Sequence, residues 1–350
     1  MRYVGMDYHK KYSQVTVMDE GGEILSRDKL PNEPADIQRY FEEWEPCEVA
    51  LEACRNWSTM YDWLEGRVQK VHLAHTTKVK AIASARIKTD KIDSEVLAHL
   101  LRSNLLPCAH IPSKEARQRK QVLRQRMFFV GLRTMAKNRI HDIMDRNHIN
   151  TEQFTDLFGK RGMEYLRQLK LCEHEDKLLK EEMGLLEQLN EHISKTEEFI
   201  DEIGRSEPRL ELVKSIPGIG NFLGLLILSE IDTIERFGSS EKLASYAGLV
   251  PSTYASGGKV WHGRITKQGN RYLRWAMVEA VWPAIRSSGY VRSYYERIKT
   301  RSGVNHAKVA TARKLLSLVY VVLKEKREYQ EYWRSGLPSS PPSLKGSLKG

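Results

Sequence analysis

Arg2-Tyr3-Val4-Gly5-Met6-Asp7-Tyr8 is a short β-type run near the start of the chain, with an acid close to its end. Two more such runs follow, Gln14 to Met18 and Glu23 to Asp28, separated by polar turns, and Gly21-Gly22 supplies the hairpin between them. Three consecutive strands of this kind predict an antiparallel start. The pattern then alternates: a helix near Ala35 to Glu43, a strand Glu48 to Glu52, a helix near Trp57 to Gly66, a strand Gln69 to His75, and helices from Lys78 and from Asp90. Hairpin-linked strands followed by strand and helix alternation predict an α+β domain, a mixed sheet covered by helices.

That order is the one expected of an RNase H-like fold, and it gives four acids a common meaning. Asp7 lies at the end of the first strand, where its carboxylate projects from the sheet end, and Glu52 closes the strand Val49-Ala50-Leu51-Glu52. Asp90 and Asp93 are spaced i,i+3 and share one face of a helix that includes both. Taken alone, that pair reads equally well as helix capping, with Asp90 as N-cap and Asp93 at N3. As a set, the four are the acids such a sheet brings together. Carboxylates packed without cations repel one another, so the cluster calls for metal or for raised pKa values. Oxygen ligands suit hard Mg²⁺ or Mn²⁺, and two such ions can stabilise the attacking and leaving oxygens of phosphoryl transfer.

The 350 residues exceed what one core usually organises. Hydrophobic residues make up 41% and charged residues 29%, a globular balance. With no apolar run long enough for a membrane span and no secretory signal pattern at the start, a cytoplasmic protein is expected. Cys47, Cys54, Cys108 and Cys172 show neither a C-x-x-C pair nor metal-finger spacing, which argues against a disulfide framework and structural zinc. The net charge is +11, and it is unevenly spread. Residues 113 to 150 hold ten Lys/Arg against three Asp/Glu, and residues 251 to 314 hold thirteen against two, leaving the remainder net negative. Such concentration points to nucleic acid, with Arg124 and Arg126 as candidate contacts in the first stretch.

Four segments are expected: residues 1–112 as the sheet domain, 113–207 as a basic helical and coiled-coil region, 208–335 as a second, mainly helical domain, and 336–350 as a disordered tail rich in Ser, Pro, Gly and Lys. Leu179, Leu186, Ile193 and Ile200 fall seven apart, with Leu189 and Ile203 at companion positions, a short heptad seam that predicts a homo-oligomer, dimer or higher, the alternative being an internal core. The second domain opens with Pro217-Gly218-Ile219-Gly220 before an apolar helix from Phe222, the form of a helix-hairpin-helix. Its glycines Gly218 and Gly220 let a backbone approach a phosphate, though an ordinary tight turn fits as well. Further on, Ser256-Gly257-Gly258-Lys259 and the cations Arg264, Lys267, Arg271 and Arg274 suggest a loop against a DNA backbone, the alternative being a Gly-rich hairpin with solvated charges. Leu273, Ala276, Met277, Ala280, Val281 and Ala284 mark the apolar face of the helix that follows.

Taken in order, Gly5-Met6-Asp7, Leu51-Glu52-Ala53, Lys88-Thr89-Asp90-x-x-Asp93, Pro217-Gly218-Ile219-Gly220 and Ser256-Gly257-Gly258-Lys259 resemble the bridge-RNA-guided insertion-sequence transposases. These pair a RuvC-like DEDD domain with a C-terminal transposase domain carrying a nucleophilic serine. The resemblance implies that Asp7, Glu52, Asp90 and Asp93 are metal ligands and that Ser256 is the nucleophile, with Ser252 in the same loop. It also implies that double-stranded DNA is cut and rejoined under the guidance of a structured RNA. Two alternatives fit the residues alone: a RuvC-like junction nuclease in which Ser256 only binds phosphate, and a non-catalytic nucleic-acid-binding protein whose acids cap helices.

Overall fold

The computed structural model describes residues 1–83, 89–256 and 259–329, apart from the side chains of 254–256, 259, 260 and 262. The tail expected at 336–350 lies outside the described residues. The chain divides into two compact units, Met1–Ile111 and Pro112–Gly350.

In the first unit the elements run β1 (Arg2–Tyr8), β2 (Tyr12–Met18), β3 (Ile24–Pro31), α1 (Pro34–Trp44), β4 (Cys47–Glu52), α2 (Trp57–Leu64), β5 (Lys70–Ala74), α3 (Thr76–Ile82), α4 (Asp90–Arg102) and β6 (Cys108–Ala109). The sheet order is β3-β2-β1-β4-β5-β6. β1 is antiparallel to β2 and parallel to β4, β5 is parallel to β4, and β6 is antiparallel to β5. This is the mixed, helix-covered RNase H-like sheet expected from the element order. β2 starts earlier than its apolar run because the turn after β1 is closed by His9 N–H donating to the Tyr12 carbonyl at 3.0 Å.

Side chains alternate along each strand, so β1 divides its residues between two faces. Val4, Met6 and Tyr8 join Ile37, Phe41, Met60 and Leu64 in the core beneath α1 and α2. Gly5 and Asp7 look the other way, towards α4, whose Leu97 and Leu101 pack with Ala50 and Ala74. Gly5 is essential to that contact: a Cβ there would stand 1.9 Å from the Ser94 carbonyl oxygen and 2.6 Å from the Ala98 nitrogen. With no side chain in the way, the backbone of α4 lies directly on β1. A buried hydrogen bond of 2.8 Å between Thr16 Oγ1 and Ser94 Oγ fixes the seat.

The second unit contains α5 (Lys114–Arg146), α6 (Lys160–Gln168), α7 (Glu173–Arg205), α8 (Arg209–Lys214), α9 (Asn221–Ile231), α10 (Ser240–Tyr246), β7 (Pro251–Ser256), β8 (Lys259–Ile265), α11 (Arg271–Glu279), α12 (Val281–Ser287) and α13 (Gly289–Glu325, bent at Gly303). α5 and α7 form an antiparallel hairpin, its rungs visible in Arg126 with Glu197, Arg139 with Glu182 and Arg146 with Glu175. The heptad seam of α7 is used inside this hairpin. Leu179 and Leu186 pack with Ile140, Ile143 and Met144 of α5, while Ile200 shares a core with Leu123. Leu179, Leu186, Leu189, Ile193 and Ile200 are all at most 4% exposed. The seam is therefore not open to a second chain, and oligomerisation through it is corrected to an internal core. α9 is buried from Gly224 to Ile231, and the predicted apolar face from Leu273 to Ala284 is fully enclosed.

Candidate active site

Asp7 and Glu52 come from neighbouring parallel strands, and Asp90 and Asp93 from the first turn of α4, the helix seated on β1. The cap of that helix is Thr89, whose Oγ1 accepts the Ile92 N–H at 3.3 Å. Asp90 is therefore not the N-cap that the alternative reading required, and Asp93 lies beyond N3.

Two residues that sequence reasoning overlooked complete the cluster. His9 Nε2 lies 3.1 Å from Asp7 Oδ2 and 3.2 Å from Asp90 Oδ2. The ligand atoms of Asp7, His9 and Asp90 all fall within 4.8 Å of one another. The Tyr12 hydroxyl donates to Asp90 Oδ2 at 2.8 Å. Period-two alternation was the available signal for His9, since positions 7 and 9 project to one side of an extended chain.

Electrostatics follow from this crowding. Burial pushes the Asp7 carboxyl up from 3.8 to about 6; His9 pulls it back, while Glu52, Asp90 and Asp93 push it further up. Asp90 moves the other way, chiefly because the Tyr12 hydroxyl hydrogen-bonds its charged form. Oxygen donors beside an imidazole, with one carboxylate disfavoured by burial and like charge, fit a divalent cation, which would remove both penalties. Of the four expected acids, Asp7 and Asp90 meet at ligand distance, with His9 beside them, whereas Glu52 and Asp93 are not part of that group among the described residues and act on Asp7 through their charge.

Cations of the first basic stretch are largely used within the fold. Arg124 Nη2 reaches Glu230 Oε1 at 2.7 Å, and Glu230, 1% exposed, also holds Lys120 at 3.6 Å and accepts from Asn270 Nδ2 at 2.8 Å. Arg126 pairs with Glu197 at 2.6 Å and covers the Phe222 ring. Together with Arg119, Arg139 and Arg146, at least six of the ten Lys/Arg in this stretch meet an acid among the described residues. Part of the charge clustered in the sequence is thus engaged in pairing within the chain.

The glycine turn before α9 divides its two candidates. Gly218, at φ +86°, packs so tightly that a Cβ would stand 2.3 Å from the Ala280 carbonyl oxygen, whereas Gly220 is exposed at the start of α9 with open space beside it. β7 and β8 pair from Pro251↔Ile265 to Ser256↔Lys259, so this segment is a hairpin. Residues 257 and 258 and the side chains of Ser256 and Lys259 are outside the described set. Ser252 Oγ donates to the Arg264 carbonyl at 3.1 Å. Arg264, Lys267 and Arg271 are exposed, while Arg274 Nη1 is bound to the Ala247 carbonyl at 2.8 Å.

A six-stranded mixed sheet with acids at the ends of two central strands and at the start of the helix packed on them defines an RNase H-like domain of the DEDD type. Comparison with known families agrees: residues 4–149 match a DEDD transposase model of the IS110 group, and residues 210–296 match the model described as "Transposase IS116/IS110/IS902 family". The chain belongs to this family of transposases, enzymes that process DNA. It is similar to a "Probable family 20 transposase" of Pseudomonas aeruginosa, 24% identical over 93% of this chain and 98% of the relative. It is also similar to the transposase for insertion sequence element IS1328 of Yersinia enterocolitica, 25% identical over 91% of this chain and 96% of the relative. The transposase for IS1111A of Coxiella burnetii is 21% identical over 94% and 92%. No helix among the described residues is long and apolar enough to cross a membrane.

Proposed function

We propose that this transposase cuts and rejoins double-stranded DNA by attack of Ser256 on a phosphodiester, with Asp7, Glu52, Asp90 and Asp93 holding Mg²⁺ or Mn²⁺, and with a structured bridge RNA choosing the sites. The observation that carries the cation is the convergence at Asp7: a buried carboxyl pushed to about 6, with Asp90 and the His9 imidazole at ligand distance and with Glu52 and Asp93 near enough for their charge to act on it. The cation, when bound, offsets negative charge developing on phosphate oxygens. Tyr12 orients Asp90, and α4 presents both of its acids together.

Ser256 forms the new bond to phosphorus as the sugar oxygen leaves, its proton passing to a base. The engaged hydroxyl of Ser252 favours Ser256 over it. Exposed Arg264, Lys267 and Arg271, with Lys259 and Gly220, make the proposed contacts to nucleic-acid backbone. Arg124, Arg126, Gly218 and Arg274 act inside the fold instead. In this reading residues 1–112 hold the cation and 208–335 the serine, with 113–207 joining them. The RNA rests on the ordered motifs and on the second basic stretch, where two acids face thirteen cations.

The test is to trap the reaction, digest the DNA and locate the modified peptide by mass spectrometry, sequencing any copurified RNA. Ser256→Ala is expected to lose both adduct and recombination while retaining nucleic-acid binding. An adduct on Ser252, or recombination by Ser256→Ala, overturns the assignment.

A further inference from the structure

We propose that His9 is itself a ligand of the cation held by the carboxylates, through Nε2, and that this nitrogen tilts the site towards Mn²⁺ over Mg²⁺. The inference rests on the cation reading given above and adds to it a donor that is not an oxygen.

An octahedral cation with ligands at about 2.1 Å sets neighbouring donor atoms about 3 Å apart. His9 Nε2 stands 3.1 Å from Asp7 Oδ2 and 3.2 Å from Asp90 Oδ2, the separation of adjacent vertices around one ion. Without the ion, the same contacts hold the ring in place as hydrogen bonds from its N–H to one oxygen on each of two elements.

The residue is also firmly held. The His9 N–H donates to the Tyr12 carbonyl at 3.0 Å, and its own carbonyl accepts from Asn32 Nδ2 at 2.7 Å. The imidazole lies against the Tyr12 ring, with centroids 4.9 Å apart, and Lys29 Nζ covers that ring at 3.8 Å. The same tyrosine's hydroxyl holds Asp90 Oδ2. One residue thus orients two donors, the kind of outer support that metal-binding side chains commonly have. Without the cation, Nε2–H donates to the carboxylate oxygens; on cation binding that proton is released, the ring keeps its proton on Nδ1, and the Nε2 lone pair becomes the ligand.

Mg²⁺ takes oxygen donors and keeps several waters, whereas imidazole suits first-row transition ions better. A site with one nitrogen among its carboxylates loses little with Mn²⁺ and more with Mg²⁺.

The experiment uses the full chain with Mn²⁺ alone as the probe, read by pulsed electron paramagnetic resonance. Bound Mn²⁺ is expected to show nitrogen modulation that changes when the protein is labelled with ¹⁵N-histidine, a readout that needs no variant. His9→Ala, with its fold checked by circular dichroism, is expected to lose the modulation. It should also weaken Mn²⁺ binding roughly tenfold, and Mg²⁺ binding by less. If Mn²⁺ binds and Asp7→Asn abolishes it, but no nitrogen modulation is present, His9 is not a ligand and the carboxylate site stands without it. Tighter Mn²⁺ binding by His9→Ala likewise overturns the inference, since His9 would then be a competing charge. Mn²⁺ binding that Asp7→Asn leaves unchanged overturns the carboxylate site and this inference together.

Discussion

Asp7→Asn should make the metal-free protein more stable at neutral pH while destroying its cation site. The carboxyl is pushed from 3.8 in an exposed chain to about 6 in the fold, first by burial. A raised acid means that the folded state holds its proton more tightly than the unfolded state. No penalty exists below the unfolded value; it grows as pH rises from about 4 to about 6 and is fully present above that. At about 1.4 kcal/mol per pH unit, the gap corresponds to roughly 3 kcal/mol at pH 7.5. Little of this is lost to solvent screening, because the Asp7 side chain is only 10% exposed. Asn keeps the shape and an acceptor for His9 but carries no charge. The assay is urea denaturation in chelator at pH 4 and 7.5, with hydrogen exchange at β1 and β4 amides so that the first unit is read separately. The variant should match wild type at pH 4 and exceed it at pH 7.5, and added Mn²⁺ should reverse the order by stabilising wild type alone. A variant less stable than wild type at pH 7.5 in chelator would refute the argument that burial and like charge dominate at Asp7.

Three further outcomes are expected. Gly5→Ala forces α4 off β1, because the new methyl meets backbone rather than a side chain that can move aside, and should cost about 3 kcal/mol or more and weaken Mn²⁺ binding; unchanged melting and affinity contradict the close seat. Arg124→Glu should cost about 3 kcal/mol by leaving a like charge against buried Glu230, and a stable variant whose DNA binding merely becomes less salt-dependent would return Arg124 to the nucleic-acid surface. Leu186→Asp with Ile193→Asp should disrupt the α5–α7 hairpin in circular dichroism, whereas a folded monomer obtained from an oligomeric wild type by sedimentation would show the seam to lie between chains.

The first unit was legible because its signals are local. Period two and turn residues fixed the strands, and the hairpins gave the antiparallel start; that β4 pairs with β1 rather than with β3 was not written in the connections. The acids stood out because each sits at the end of an element. His9 was not legible as a partner of Asp90, since that contact spans the whole domain and depends on how α4 is seated. The partners of the basic helix were illegible for a related reason. Its charges cluster in sequence, but their acids lie 71 or more positions away on α7 and α9, or stand as Glu175 and Glu182 across the hairpin turn, so counting within a window could not find them. The heptad seam was correctly seen as a seam; a repeat of seven cannot tell whether the covering helix is in the same chain.

The bare strip of β1 at Gly5 has a mechanical consequence. Asp90 and Asp93 belong to one rigid helix, and that helix rests on backbone with no side chain to cushion it. A slide or tilt of α4 therefore carries both carboxylates together relative to Asp7 and Glu52. Two of the four acids behave as one moving part, and the bearing on which they turn is a missing methyl group.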